Sequence, residues 1–327
     1  MDHVAVAADR VRGRALRVVL PESTDERIVE AARRLAAEDL ATPILIAESA
    51  EALSSAPLTS IHPPTAPSLS RYAAALAARR SATGRAMTDA MARRLVSKPL
   101  YFAGAMVAAG DAEAVVAGVA NPTRRVIEAG LMTIGLAEGI ATPSSYFLMR
   151  VPARADRPAR AIIFADCAVV ANPTSEELAD IAIATAGSAA RLLGETPRVA
   201  LLSFSTHGSA THPDVAKVTS ALSLIRARAR ALAVDGELQG DAALSAAVAT
   251  KKVKAESAVA GRANILVFPD LDAGNIAYKL VQELAGAEAL GPFLQGFARP
   301  ISDLSRGASV DDIVRTCVIT LAQAAVS

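Results

Sequence analysis

The stretch RVALLSFSTHGSATHPDVAKVTSALSLIRARARALAVDG, residues 198–236, decides how this chain folds. It opens on a short apolar run, Arg198–Phe204, of strand length. A loop rich in Ser, Thr and Gly follows over Ser203–Ser209. The stretch Asp214–Ala231 then reads as a helix and Leu232–Gly236 as the next strand. A strand, a long helical crossover and a second strand make the unit from which parallel sheets are built.

The same alternation runs outward to both ends. Strand-like runs occur at Arg17–Leu20, Pro43–Ala47, Ala114–Val119, Ser144–Val151, Ala161–Cys167, Asn264–Phe268 and Gly291–Gly296. Helical stretches lie between them at Asp25–Ala37, Ser175–Leu193, Asp241–Ala249, Ala273–Leu284 and Val310–Ala324. The pattern predicts an α/β fold with mostly parallel sheets. In such folds ligands sit beyond the carboxyl ends of strands, so the loops after strands carry the search. Three segments read as connections: Ser54–Ser70 as a Pro/Ser-rich surface excursion, Pro152–Pro158 as a hairpin turn, and Ser81–Thr88 as the break between two short helices.

Composition agrees. The chain has 327 residues, enough for two lobes, and aromatics make up 3% against 52% hydrophobic, so Ala, Val, Leu and Ile must fill the core. A net charge of +1 argues against nucleic acid as a partner. Cys167 and Cys317 cannot build a disulfide framework, which fits a cytoplasmic location. No apolar run has the length of a signal peptide core or a membrane span, so no membrane partner is expected. There is no GxGxxG after a strand, no P-loop and no GxSxG elbow. His3, His62, His207 and His212 lack metal-ligand spacing, and no metal site is expected.

The segment RPISDLSRGASVDDIV, Arg299–Val314, is the most informative for chemistry. Ser309 followed by Asp312, ahead of Ile313, Cys317 and Leu321, is a helix start with a capping pair. Its free amides and positive dipole end lie next to Ser305, Arg306 and Gly307, a combination suited to an anion. By pattern alone Asp312 reads as a capping acid, and Ser305–Arg306 as a solvated turn.

The block Gly261–Ala324, with PDLDAGNIAYKL and PISDLSRGASVDDIV, resembles the phosphate acetyl/butyryl transferase family, its acetyl branch above all. Further matching blocks are YFAGAMVAAGDAEAVVAGVANPT at Tyr101–Thr123, ADCAVVANPTSEELADIA at Ala165–Ala182, LLSFSTHGSATHP at Leu201–Pro213 and DGELQGDAAL at Asp235–Leu244. About the first hundred residues match loosely. The resemblance implies a two-lobed three-layer αβα fold, isocitrate/isopropylmalate dehydrogenase-like, with an active-site cleft between the lobes. It places residues 1–142 and 292–327 in one lobe and 143–291 in the other.

The implied activity is reversible acetyl transfer between coenzyme A and phosphate in a ternary complex. Coenzyme A, acetyl phosphate and phosphate are substrates, no cofactor is tightly bound, and the assembly is a homodimer. The resemblance assigns catalysis to Ser305, Arg306 and Asp312. It points to Arg79 or Arg80 for anionic substrate groups, either of which reads equally as part of a solvated helix face. Glu128 stands where relatives carry an arginine, and Arg124 and Arg125, one turn earlier, are the candidates to compensate. Asn172, Ser205, Thr206, His207 and Asn275 complete the substrate-binding set. Asn172 can equally serve a helix start, and His207, where relatives often have lysine, reads equally as an exposed loop residue. Two alternatives stay open: phosphate butyryltransferase, and a catalytically silent acetyl-CoA-sensing module. A dehydrogenase on the same general fold lacks the acids and the dinucleotide signals.

Overall fold

The computed structural model describes residues 2–47, 59–155 and 158–325. It divides into two compact units, Asp2–Glu138 with Phe297–Ser327, and Gly139–Gly296.

The first unit holds β1 (Arg17–Leu20), β2 (Thr42–Ile46), β3 (Ser60–Ile61) and β4 (Ala114–Ala117), with β11 (Ile301–Asp303) arriving from the far end of the chain. These strands lie in the order β11-β4-β1-β2-β3, and every pairing is parallel. All four residues of β4 are buried, so both faces of the sheet are covered. Helix α1 spans His3–Val11 and α2 spans Glu26–Ala37. Ile28, Ala31, Ala32 and Leu35 bury one face of α2, and the Asp25 carboxylate caps its start. Helices α3 (Leu69–Ala82), α4 (Asp89–Val96), α5 (Pro99–Ala108) and α6 (Thr123–Thr133) follow, and α12 (Val310–Ala324) closes the unit.

The second unit contains β5 (Ser144–Val151), β6 (Arg160–Ala165), β7 (Arg198–Leu202), β8 (Ala233–Leu238), β9 (Ile265–Val267) and β10 (Glu288–Gln295). Their order is β10-β5-β6-β9-β7-β8. The four strands from β6 to β8 are parallel, whereas β5 runs antiparallel to both neighbours. Its helices are α7 (Ser175–Leu192), α8 (Pro213–Arg228), α9 (Gly240–Leu244), α10 (Ala246–Lys252) and α11 (Leu271–Ala285).

The α/β alternation is as the sequence predicts, with four corrections. The helix expected at Asp241–Ala249 is two short helices, because Ser245 between them is extended. The expected strand Gly291–Gly296 starts earlier, at Glu288, where pairing with β5 begins. Part of the presumed surface excursion Ser54–Ser70 is regular: Ser60–Ile61 adds an edge strand, while residues 54–58 lie outside the described residues. Strand β11 goes unseen in the sequence, being three residues long and preceded by a proline. The Pro152–Pro158 turn joins the antiparallel pair β5 and β6 as a hairpin, with 156–157 outside the described residues. Among the described residues, no helix is long and apolar enough to cross a membrane.

Candidate active site

Strand β11 delivers the chain into the turn Leu304–Ser309, from which α12 departs. Ser309 Oγ accepts from the Asp312 amide at 3.2 Å, while Asp312 Oδ2 accepts from the Ser309 amide at 2.9 Å and its hydroxyl at 2.7 Å. This reciprocal capping box fixes the Asp312 carboxylate and leaves Oδ1 outside it. Ser305, Arg306, Gly307 and Asp312 are all exposed, whereas Ile313, Val314 and Cys317 anchor the helix in the core. Ser305 Oγ accepts from the Gly307 amide at 3.3 Å, and the Ser305 carbonyl accepts from Ala308 at 2.9 Å. A serine hydroxyl, a guanidinium and a carboxylate thus share one exposed helix start.

Behind this turn lie two buried carboxylates that the sequence reading misses. Glu22, 3% exposed, accepts from the backbone amides of Gly118, Val119, Ala120 and Asn121 at 2.8–3.0 Å. Asp303, 2% exposed, ends β11 two residues before Ser305. Its Oδ2 accepts from Thr123 Oγ1 at 2.5 Å, and its Oδ1 is buried with no close hydrogen-bond partner among the described residues. Burial pushes the Asp303 carboxyl up to about 6; the Glu22 charge adds to this, and the hydrogen bonds from Thr123 and Leu304 and the charge of Arg306 oppose it. Gly118 makes this close approach possible: a Cβ there would lie 2.5 Å from Asp303 Oδ1 and from Leu304 backbone atoms.

The arginines of this unit fare unequally. The Arg79 guanidinium donates to the carbonyls of Thr133 and Ile134, at the end of α6, and burial lowers its pKa. Arg80 is partly buried, and its Nε has no hydrogen-bond partner among the described residues. Arg124 and Arg125 are exposed at the start of α6. Arg125 and Glu128 line a cleft of about 490 Å³ with Lys98, Tyr101, Asn121 and Glu22. Arg124 is not among the residues lining it. Lys98, which precedes α5, brings a second cation to the same cleft.

In the second unit, loops gather at the carboxyl ends of the parallel strands. Asn172 Oδ1 accepts from Lys217 Nζ at 3.1 Å, and the same ammonium reaches the Pro269 carbonyl at 2.9 Å. Asn275 donates from Nδ2 to the Cys167 carbonyl at 3.1 Å. Gly274 allows this contact, since a Cβ there would lie 2.4 Å from the Asp166 carbonyl oxygen. Ser205 and Thr206 are both buried, and their hydroxyls bond within the unit. Ser205 Oγ donates to Glu237 Oε1 at 2.8 Å and accepts from the Ala210 amide at 3.1 Å. Thr206 Oγ1 accepts from the Gln239 amide at 3.0 Å. His207, with φ +46°, pairs through Nε2 with Asp235 Oδ1 at 3.2 Å. Cys167 is buried, and desolvation, with the Asp166 charge, raises its pKa.

A helix start that presents a hydroxyl, a guanidinium and a carboxylate, on a doubly covered parallel sheet, is chemically suited to an anionic group. The comparisons with known proteins give the family. The profile of the family described as Phosphate acetyl/butaryl transferase matches residues 4–321. A phosphate acetyltransferase from Acetivibrio thermocellus is 42% identical over 97% of this chain and 96% of its own. One from Paracoccus denitrificans is 45% identical over 94% of each. Among solved structures, a phosphotransacetylase from Streptococcus pyogenes superposes with a TM-score of 0.90 at 37% identity, covering 99% of this chain and 98% of its own. The chain belongs to the phosphate acetyl/butyryl transferase family of acyltransferases.

Proposed function

We propose that this chain is a phosphate acetyltransferase: acetyl-CoA + phosphate = coenzyme A + acetyl phosphate, by direct attack in a ternary complex. The observation that carries the reading is the exposed turn holding Ser305, Arg306 and the box-fixed Asp312 together at the start of α12. Relatives at 42% and 45% identity with that activity support it.

In the direction that consumes acetyl phosphate, Asp312 takes the thiol proton of coenzyme A as the sulfur closes on the acetyl carbonyl. A free thiol has a pKa of about 8.5, so a base in contact raises the thiolate fraction at neutral pH. The new C–S bond forms, the C–O bond to phosphorus breaks, and phosphate departs with the electron pair. Ser305, Arg306 and the first-turn amides of α12 stabilise the charge that gathers on the carbonyl oxygen and the leaving phosphate. Oδ1, outside the capping box that engages Oδ2, is the oxygen assigned to the proton.

For the remaining anionic groups we take Arg80, Arg125 and Arg124, with Arg79 retained as the clamp of α6. Asn172, His207 and Asn275 are the groups of the second unit assigned to coenzyme A. Ser205 and Thr206 shape that loop from within. The cytoplasm is the proposed location, in keeping with two buried free thiols. A homodimer is the proposed assembly, supported by the exposed stripe of Ile276, Leu280 and Leu284 on α11.

The test is thioester formation from acetyl phosphate and coenzyme A without nucleotide, followed by ultraviolet absorbance, with butyryl phosphate in parallel. Faster turnover of the acetyl substrate is expected. Preference for the butyryl substrate would reassign the chain to butyryl transfer, and acetyl-CoA binding without turnover would make it a sensor.

A further inference from the structure

Arg27 stands at the second position of α2, and Asp25 holds its guanidinium on two sides. Asp25 Oδ1 accepts from Nε at 3.0 Å and Oδ2 from Nη2 at 2.8 Å. The remaining nitrogen, Nη1, donates to the carbonyls of Arg306 at 2.9 Å and Ala308 at 2.8 Å. Those carbonyls belong to the peptide units 306–307 and 308–309.

A trans peptide is planar, so fixing where its carbonyl points also fixes the opposite direction for the N–H of the same unit. The N–H of unit 306–307 is that of Gly307, which donates to Ser305 Oγ. The N–H of unit 308–309 is that of Ser309, which donates to Asp312 Oδ2. One guanidinium therefore governs, through two rigid planes, the donors that hold the serine hydroxyl and the carboxylate of the proposed site. The fork of an arginine, locked by Asp25, suits this task better than a flexible ammonium.

We propose that Arg27 is a positioning residue for acyl transfer, setting Ser305 and Asp312 through the 306–307 and 308–309 peptides without touching substrate. The inference rests on the catalytic assignment of Asp312 proposed above. Misplacement of reacting groups by about 1 Å can cost about 100-fold in rate. Arg27→Met, which keeps bulk and removes the donors, is expected to lower kcat about 10- to 100-fold, with KM for coenzyme A and acetyl phosphate changed less than about 3-fold. Arg27→Lys, able to reach the carbonyls without the Asp25 fork, recovers part of that loss.

The deciding comparison is the double variant Arg27→Met with Asp312→Ala. If Arg27 acts through the serine and the carboxylate, Arg27→Met costs clearly less in the Asp312→Ala background than in the wild type. Losses that multiply, or a wild-type kcat in Arg27→Met beside a crippled Asp312→Ala, overturn the inference. Full activity in Asp312→Ala overturns the catalytic assignment itself, and this inference with it. Should Arg27→Met fail to fold, the same cycle is run with Arg27→Lys and read in the same way.

Discussion

Glu22 Oε1 accepts two hydrogen bonds from Asn121, one from its backbone amide and one from Nδ2, each 2.8 Å long. Glu22 precedes α2 and Asn121 precedes α6, so one buried carboxylate joins the loops after β1 and β4 at the carboxyl end of the first sheet. The same end of the sheet carries Asp303 and, two residues on, the turn proposed for catalysis.

Glu22→Ala therefore removes the acceptor of two buried amides, those of Gly118 and Val119. Each unsatisfied buried amide costs about 1–3 kcal/mol, so a loss of about 2–6 kcal/mol is expected. Urea unfolding measures it, and a change below about 1 kcal/mol would contradict the network.

Asp303 predicts an unusual pH dependence of stability. Its carboxyl is raised to about 6 in the fold, chiefly by burial, so between the ordinary carboxylate range and pH 6 the native state binds the extra proton. Its contribution to stability is complete below the unfolded pKa and disappears as pH rises through about 6. Asp303→Asn, which cannot ionise, should gain on the wild type by on the order of 2–3 kcal/mol at pH 8 and show little difference near pH 4. Parallel urea titrations at the two pH values check the sign.

At the proposed site, Asp312→Ala should lower kcat about 100- to 10,000-fold if the carboxylate serves as general base. The same change breaks the capping box, at about 1 kcal/mol of stability. Thermal unfolding beside the thioester assay separates the two effects, because so small a destabilisation cannot empty the native state at 25 °C.

Ser205→Ala tests the place of that hydroxyl within the second-unit loop. The hydroxyl is buried between Glu237 and the Ala210 amide, so its loss should cost about 1–3 kcal/mol. A substrate-facing hydroxyl would instead raise KM for coenzyme A with stability unchanged.

Ile276, Leu280 and Leu284 follow one another at intervals of four on α11 and are 56%, 51% and 80% exposed. Leu280→Arg should convert the proposed homodimer to monomer, read as mass by light scattering. An unchanged mass would remove this face from the interface.

The sequence by itself determined the α/β alternation, the capping pair Ser309–Asp312 and the family, because each is written in local order: strand length, helical period, a box spanning three residues, an unbroken motif. Only the tertiary structure decided what Glu22, Arg27, Arg79, Asp303 and Ser205 do. Glu22 meets Gly118 across 96 positions and Arg27 meets Arg306 across 279, separations at which no periodicity or motif survives. For the same reason Arg79 and Arg80, neighbours in sequence, could not be told apart until burial gave one of them the carbonyls at the end of α6. The direction in which a polar side chain is satisfied depends on which strands lie side by side, and that order is fixed by packing the whole chain.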